Sequence, residues 1–222
     1  MTKQTVSRPS QRDHPKIGLA PNTVKTSRPA MSKLYFRYAA MNAGKSTMLL
    51  QAAHNYMERG MAVKLFTASV DDRHGVGIIH SRLGIERSAL TYDQSSSFDK
   101  GILDPDTACV FVDEAQFLTP PQVHQLHRLA HLSDVPIICY GLRSDFLGMP
   151  FEGAAMLLTL ADDIEEIKTI CACGKKASMN ARIDSQGRRV HTGEQILIGG
   201  NVSYRATCPD CFYREPDTAS AK

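Results

Sequence analysis

An open, mainly parallel α/β sheet is the fold class this chain predicts, and three observations predict it. The segment Ala39-Ala40-Met41-Asn42-Ala43-Gly44-Lys45-Ser46-Thr47 lies between the alternating run Leu34-Tyr35-Phe36-Arg37-Tyr38 and a helix-forming stretch from Ser46 to Glu58, with Gly60 placed as a stop. Strand, loop and helix thus follow in the order a phosphate-binding loop requires. Ala108-Cys109-Val110-Phe111-Val112 and Pro136-Ile137-Ile138-Cys139-Tyr140 are continuous apolar runs, the pattern of strands covered on both faces by helices. Strands alternate with helices along the chain, and sheets built this way collect ligands at the carboxyl ends of their strands.

Each element has a local reason. In the first loop, Gly44 permits a tight turn that aims successive amides at phosphate oxygens, Lys45 brings an ammonium to the β and γ phosphates, and Ser46 offers a hydroxyl to magnesium. The strict pattern has Gly where this chain has Ala39. Ala62-Val63-Lys64-Leu65-Phe66-Thr67 reads as a second strand, and the glycines and charges from Asp71 to Gly77 read as a mobile loop. The Ala108–Val112 run empties into Asp113-Glu114-Ala115-Gln116. Thr119 caps a helix with Pro120 at its tolerated first turn. After the run ending at Tyr140, Gly141 is expected at a turn.

Composition bounds the function. A chain of 222 residues can bury one substantial core and carry a small appended module. No apolar run approaches the roughly 20 residues of a membrane span, so a soluble protein is expected. A net charge of +3 is too small to argue for nucleic acid or a membrane surface. Met1 to Ala30 mixes Ser, Thr, Pro, Lys and Arg without apolar period and reads as a disordered tail. It lacks a secretory apolar region, and its prolines oppose an amphipathic transit helix, so a cytoplasmic address is expected. Cys109 and Cys139 sit in strand-like runs as small core residues. Cys171, Cys173, Cys208 and Cys211 form two close pairs, a metal-ligand spacing and not a disulfide ladder.

Asp113 and Glu114 stand where a buried strand would open onto the ligand edge. One carboxylate can organise magnesium and its neighbour can abstract a proton. A phosphate loop with adjacent acids leaves a general ATPase, a small-molecule kinase and a nucleic-acid motor open.

Five ordered motifs narrow that choice. Met41-Asn42-Ala43-Gly44-Lys45-Ser46-Thr47, Asp113-Glu114-Ala115-Gln116-Phe117, Gly141-Leu142-Arg143-Ser144-Asp145-Phe146, the paired cysteines and Ile198-Gly199-Gly200-Asn201-Val202-Ser203-Tyr204 together resemble the type II, zinc-containing thymidine kinases over roughly Met31 to Arg214. Ala or Ser often stands at the Ala39 position in bacterial members of that family. The resemblance implies a RecA-like core over residues 31–168 and a zinc-bound lasso domain over residues 169–214, with a flexible C-terminal tail over residues 215–222.

It further implies transfer of the ATP γ-phosphoryl group to the 5′-hydroxyl of thymidine in nucleotide salvage, with deoxyuridine also accepted. Glu114 matches the family's general base. Ser46 and Asp113 match magnesium ligands, and residues Ala39, Ala40, Met41, Asn42, Ala43, Gly44, Lys45, Ser46 and Thr47 match its ATP cradle, with Arg73, Asp113 and Gln116 beside them. Phe117, Leu142, Phe146 and Phe151 match apolar positions of the nucleoside site. Met41, Asn180 and Tyr204 match positions near the base or its methyl group, although family members commonly carry Thr at the Asn180 position. Gln195, Ile196, Leu197, Ile198, Gly199, Gly200 and Tyr204 belong to a lasso that closes over thymine, where the glycines allow close backbone approach.

Four thiolates make a closed tetrahedral shell, which favours structural over catalytic zinc; four unliganded thiols are the alternative. His124, His127 and His131 share a helical face and are assigned to a polar surface or a subunit contact. Family precedent adds a homotetramer and feedback inhibition by thymidine triphosphate. The competing reading is a zinc-bearing P-loop ATPase that binds nucleic acid, against which stand the weak charge and the absence of a basic aromatic tract.

Overall fold

The computed structural model describes residues 32–196 and 203–214. The expected N-terminal and C-terminal tails, and Leu197, Ile198, Gly199 and Gly200 of the expected lasso, lie outside the described residues. The core contains β1 (Leu34–Ala39), α1 (Lys45–Met57), β2 (Ala62–Ala68), β3 (Ile78–His80), β4 (Glu86–Ser88), β5 (Leu90–Tyr92), β6 (Thr107–Val112), α2 (Pro120–Ser133), β7 (Ile137–Leu142), α3 (Glu152–Leu160) and β8 (Asp163–Glu166). Six strands form one sheet in the order β5-β2-β6-β7-β1-β8, and every pairing in it is parallel. The class is therefore α/β with a mainly parallel sheet, as expected.

The apolar runs are buried on both faces because their side chains alternate between two cores. In β6, Val110 and Val112 face the core shared with α2 and α3, whereas Cys109 and Phe111 face the core beneath α1. In β7, Ile137 and Cys139 join the first core, and Tyr140 joins the second. Each large apolar side chain buried this way contributes roughly 1.5–3 kcal/mol, which is why these central strands can dispense with a polar face. Cys109 and Cys139 are fully buried core residues, as the sequence implied.

Helix ends follow their caps. Thr119 Oγ1 accepts from the Gln122 amide while the Gln122 side chain accepts from the Thr119 amide, a reciprocal capping box. Gly60 ends α1 with φ of 71°, donating its amide to the Met57 carbonyl at 2.9 Å.

Gly141 departs from the expectation of a turn. It lies inside β7, paired with Tyr38, and an added Cβ would come within 2.9 Å of Gln116 Oε1 and 3.0 Å of the Gln116 amide nitrogen. The residue is small because another backbone passes close by, not because the chain reverses there. The stretch from Asp71 to Gly77 carries neither helix nor strand, as expected of a loop; beyond it, β3 and β4 pair as a hairpin and β5 adds an edge strand to the main sheet. Strands of three residues are too short to announce themselves by periodicity.

Beyond β8 the chain enters a small module of two antiparallel ribbons, β9 (Thr169–Ile170) with β10 (Lys176–Ala177) and β11 (Met179–Ile183) with β12 (Ser203–Thr207), closed by the short helix α4 (Pro209–Tyr213). Its apolar clusters are small, Cys171 with Ala177 and Cys208, and Ala181 with Ile183 and Phe212. So little buried surface calls for a covalent or metal staple.

Candidate active site

β1 and β6 deliver their last residues to the same sheet edge, and the loops that follow line a cavity of about 860 Å³. Gly44, with φ of 86°, takes the left-handed conformation immediately before α1, and Asn42 does so at 64°. Because Gly44 supplies no side-chain cap, the first-turn amides of α1 have no local acceptor, and that end of the helix suits an anion. Met41, Asn42, Ala43, Gly44, Lys45, Ser46 and Thr47 all line the cavity. Ala39 and Ala40 are buried behind it.

Electrostatics at the β6 exit are tightly arranged. Asp113 is buried, with Oδ2 accepting from Ser46 Oγ at 2.9 Å and Oδ1 accepting from the Glu114 amide at 3.0 Å. Loss of hydration, reinforced by the Glu114 charge, pushes its carboxyl up to about 7. Burial likewise lowers Lys45, against the attraction of Glu114 and Asp113. A cation added between Ser46 and Asp113 would favour the ionised carboxylate, so this oxygen pair fits magnesium.

Glu114 adopts a left-handed backbone, φ 52° and ψ 36°, a strained choice for a residue with a side chain. Its surroundings enforce it. The Tyr92 hydroxyl donates to the Glu114 carbonyl at 2.8 Å, Gln116 Nε2 donates to Oε2 at 2.5 Å and Arg73 Nη2 donates to Oε1 at 3.0 Å. Arg73 also forks onto Asp71 at 2.6 and 2.7 Å. The Asp71 carboxylate, opposed by loss of hydration but helped by the nearby Glu114, leaves that guanidinium more firmly protonated than usual. Gln116 Oε1 accepts from the Leu142 amide at 2.9 Å, so Gln116 braces the β6 exit against the β7 exit.

An apolar enclosure adjoins Glu114. Phe117 meets Phe151 edge to face with centroids 5.9 Å apart, and Leu142, Phe146, Asn180, Gln195, Ile196 and Tyr204 complete the wall. Asn180 is satisfied by backbone: Oδ1 accepts from the Met41 amide at 2.7 Å and Nδ2 donates to the Ser144 carbonyl at 2.8 Å. Gln195 Nε2 donates to Asp145 Oδ2 at 3.0 Å.

Sequence reasoning missed Asp71, Tyr92, Asp145 and above all Arg182. Arg182 is 3% exposed, and its guanidinium lies 3.6 Å from the Phe146 ring centroid. It donates to the Tyr204 hydroxyl at 2.9 Å and to the Glu194 and Gln195 carbonyls at 2.8 and 3.3 Å. Asp71 and Asp145 lay inside segments already singled out; Arg182 has no motif to betray it.

The cysteines converge as their spacing implied. All four Sγ atoms lie within 4.8 Å of one another, and Cys208 Sγ caps α4 by accepting from the Cys211 amide at 3.4 Å. The Cys173 amide lowers Cys171 to about 6, whereas sharing hydrogen bonds with its sister thiols pushes Cys211 up to about 12. This set can hold a metal ion.

Residues 32–212 match the family model described as thymidine kinase. The chain belongs to the thymidine kinase family. It is 67% identical to the thymidine kinase of Albidiferax ferrireducens over 82% of this chain and 93% of that relative. Identity is 58% to the thymidine kinase of Chromobacterium violaceum, over 83% of this chain and 100% of the relative. It is 50% to that of Yersinia pseudotuberculosis, over 80% and 93%. Family membership accords with a phosphate loop and an apolar enclosure meeting at one carboxylate. No helix among the described residues is long and apolar enough to cross a membrane.

Proposed function

We propose that this chain transfers the γ-phosphoryl group of ATP to the 5′-hydroxyl of thymidine, with deoxyuridine also accepted, giving the nucleoside monophosphate and ADP. The observation that carries the reading is the position of Glu114, in the same cavity as Lys45 and Ser46 on one side and Phe117, Leu142 and Phe151 on the other. Its carboxylate takes the proton from the 5′-hydroxyl as that oxygen bonds to the γ-phosphorus and the bond from phosphorus to the bridging oxygen of ADP breaks. Lys45, the loop amides and Arg73, released from Glu114 and Asp71, stabilise charge on the transferring group.

Ser46 and Asp113 would hold magnesium, which would supply charge neutralisation at the phosphates. The aromatic wall admits a planar base, and Gln195, Ile196 and Tyr204 border it. Four cysteines suit structural zinc because they fill a tetrahedral shell and leave no place for water. A homotetramer in the cytoplasm, inhibited by thymidine triphosphate, completes the proposal on the strength of the family resemblance.

Thymidine-dependent formation of ADP and thymidine monophosphate tests the reading. DNA-stimulated ATP hydrolysis without nucleoside phosphorylation would overturn it in favour of a nucleic-acid ATPase. Glu114→Gln should bind ATP but lose about 10²–10⁴-fold in kcat, the usual range for general-base catalysis. Unchanged turnover would refute the assignment of the base.

A further inference from the structure

The three histidines of α2 read in the sequence as a polar face or a subunit contact, but the fold places a carboxylate against two of them. His127 and His131 lie one turn apart, and Asp162, at the junction of α3 and β8, faces both. One donor atom from each lies within 4.8 Å of the other two. His131 Nε2 is 3.1 Å from Asp162 Oδ2, His127 Nε2 is 3.9 Å from Asp162 Oδ1, and the imidazole centroids are 4.6 Å apart.

We propose that His127, His131 and Asp162 form a second metal site, distinct from the cysteine cluster, for a divalent first-row transition cation such as Zn2+, Ni2+ or Cu2+. The ligand types select the ion: two imidazoles and a carboxylate suit these cations, whereas Mg2+ and Ca2+ require an oxygen shell. A rigid helix presents imidazoles at i and i+4 on one face. The third donor is already oriented, because the Leu34 amide donates to Asp162 Oδ2 at 2.8 Å. Hydrogen bonds of that kind behind a metal ligand raise affinity by fixing the ligand.

Tetrahedral donors at about 2.0–2.1 Å from zinc stand about 3.3 Å apart, so the trio must contract. Side-chain exposures of 33%, 42% and 26% for His127, His131 and Asp162 leave room for those rotations. Three protein ligands leave a coordination position for water or a donor from another molecule. The site lies beside the first residue of β1, at the sheet edge opposite the phosphate loop. Its metal ties the end of α2 to the α3–β8 junction and takes no part in phosphoryl transfer.

The rival arrangement is a simple His131–Asp162 ion pair, and His127→Gln separates the two because it leaves that pair intact. Calorimetric titration of the full-length, zinc-loaded protein with Ni2+ should show an equivalent that His127→Gln and His131→Gln each weaken by at least about tenfold. Asp162→Asn should weaken it at least as much as the roughly 10–100-fold cost of losing a group that merely orients a ligand. Co2+ bound there should lack a thiolate-to-cobalt charge-transfer band, and elemental analysis should find the cysteine-bound zinc unchanged in every variant. If the wild type takes up no such equivalent, or the histidine variants bind it equally well, the site does not exist and the trio is an ion pair only.

Discussion

Replacing Asp113 by Asn should make the folded protein more stable and the enzyme inactive. Asp113 is fully desolvated beside Glu114, and its carboxyl is pushed from 3.8 up to about 7. A folded value above the unfolded one means that the native state binds the extra proton, so wild-type stability is lost as pH rises through about 4 to 7. At 1.36 kcal/mol per unit, three units are on the order of 4 kcal/mol above pH 7. Asn keeps an acceptor for the Glu114 amide, and its amide group can donate to Ser46 if that hydroxyl turns. Lys45 loses one of its two carboxylates, which offsets part of the gain. The net stabilisation should be about 1–3 kcal/mol near pH 8, and the gap between variant and wild type should open by about 2–3 kcal/mol from pH 5 to pH 8. Urea unfolding of the zinc-loaded, magnesium-free proteins at the two pH values measures it. A variant whose stability runs parallel to wild type across that range refutes the claim that desolvated Asp113 carries the penalty. Lost magnesium-dependent turnover in the same variant would show that the unfavourable charge is kept for phosphate chemistry.

Arg182→Met preserves apolar packing on Phe146 but removes the donors to Tyr204, Glu194 and Gln195. Hydrogen bonds from a charged donor contribute about 1.5–3 kcal/mol, so KM for thymidine should rise roughly 10- to 100-fold while KM for ATP changes little. An unaltered thymidine KM would show that Arg182 does not hold the lasso entrance. Stripping metal from the cysteine cluster should abolish thymidine binding and hydrogen-exchange protection in β11 and β12 while the parallel sheet stays protected. Thymidine binding that survives verified metal removal would contradict that division of labour.

What was legible in the sequence was whatever is encoded locally. The phosphate loop, the Thr119 cap, the double-sided burial of β6 and β7 and the cysteine spacing all depend on neighbours a few residues apart. Glu114 could be placed at a strand exit, but not its left-handed backbone, because the Tyr92 hydroxyl holds its carbonyl from a separate strand. Gly141 was misplaced for the same reason: the Gln116 backbone that crowds it is distant in sequence. Arg182 was invisible, since a lone arginine in a short strand ordinarily points to water. Asp162 changes the meaning of the helical histidines only after α3 has brought it beside them.

Asn180 joins two stretches of backbone on different sides of the cavity, the Met41 amide before α1 and the Ser144 carbonyl beyond β7. Any replacement there must both accept and donate from a buried position. A single hydroxyl can also accept and donate, whereas this chain uses the two ends of an amide. Side chains able to do neither, such as valine, would leave two buried polar groups bare. The position is therefore held by a requirement of backbone chemistry that persists whichever base the pocket selects.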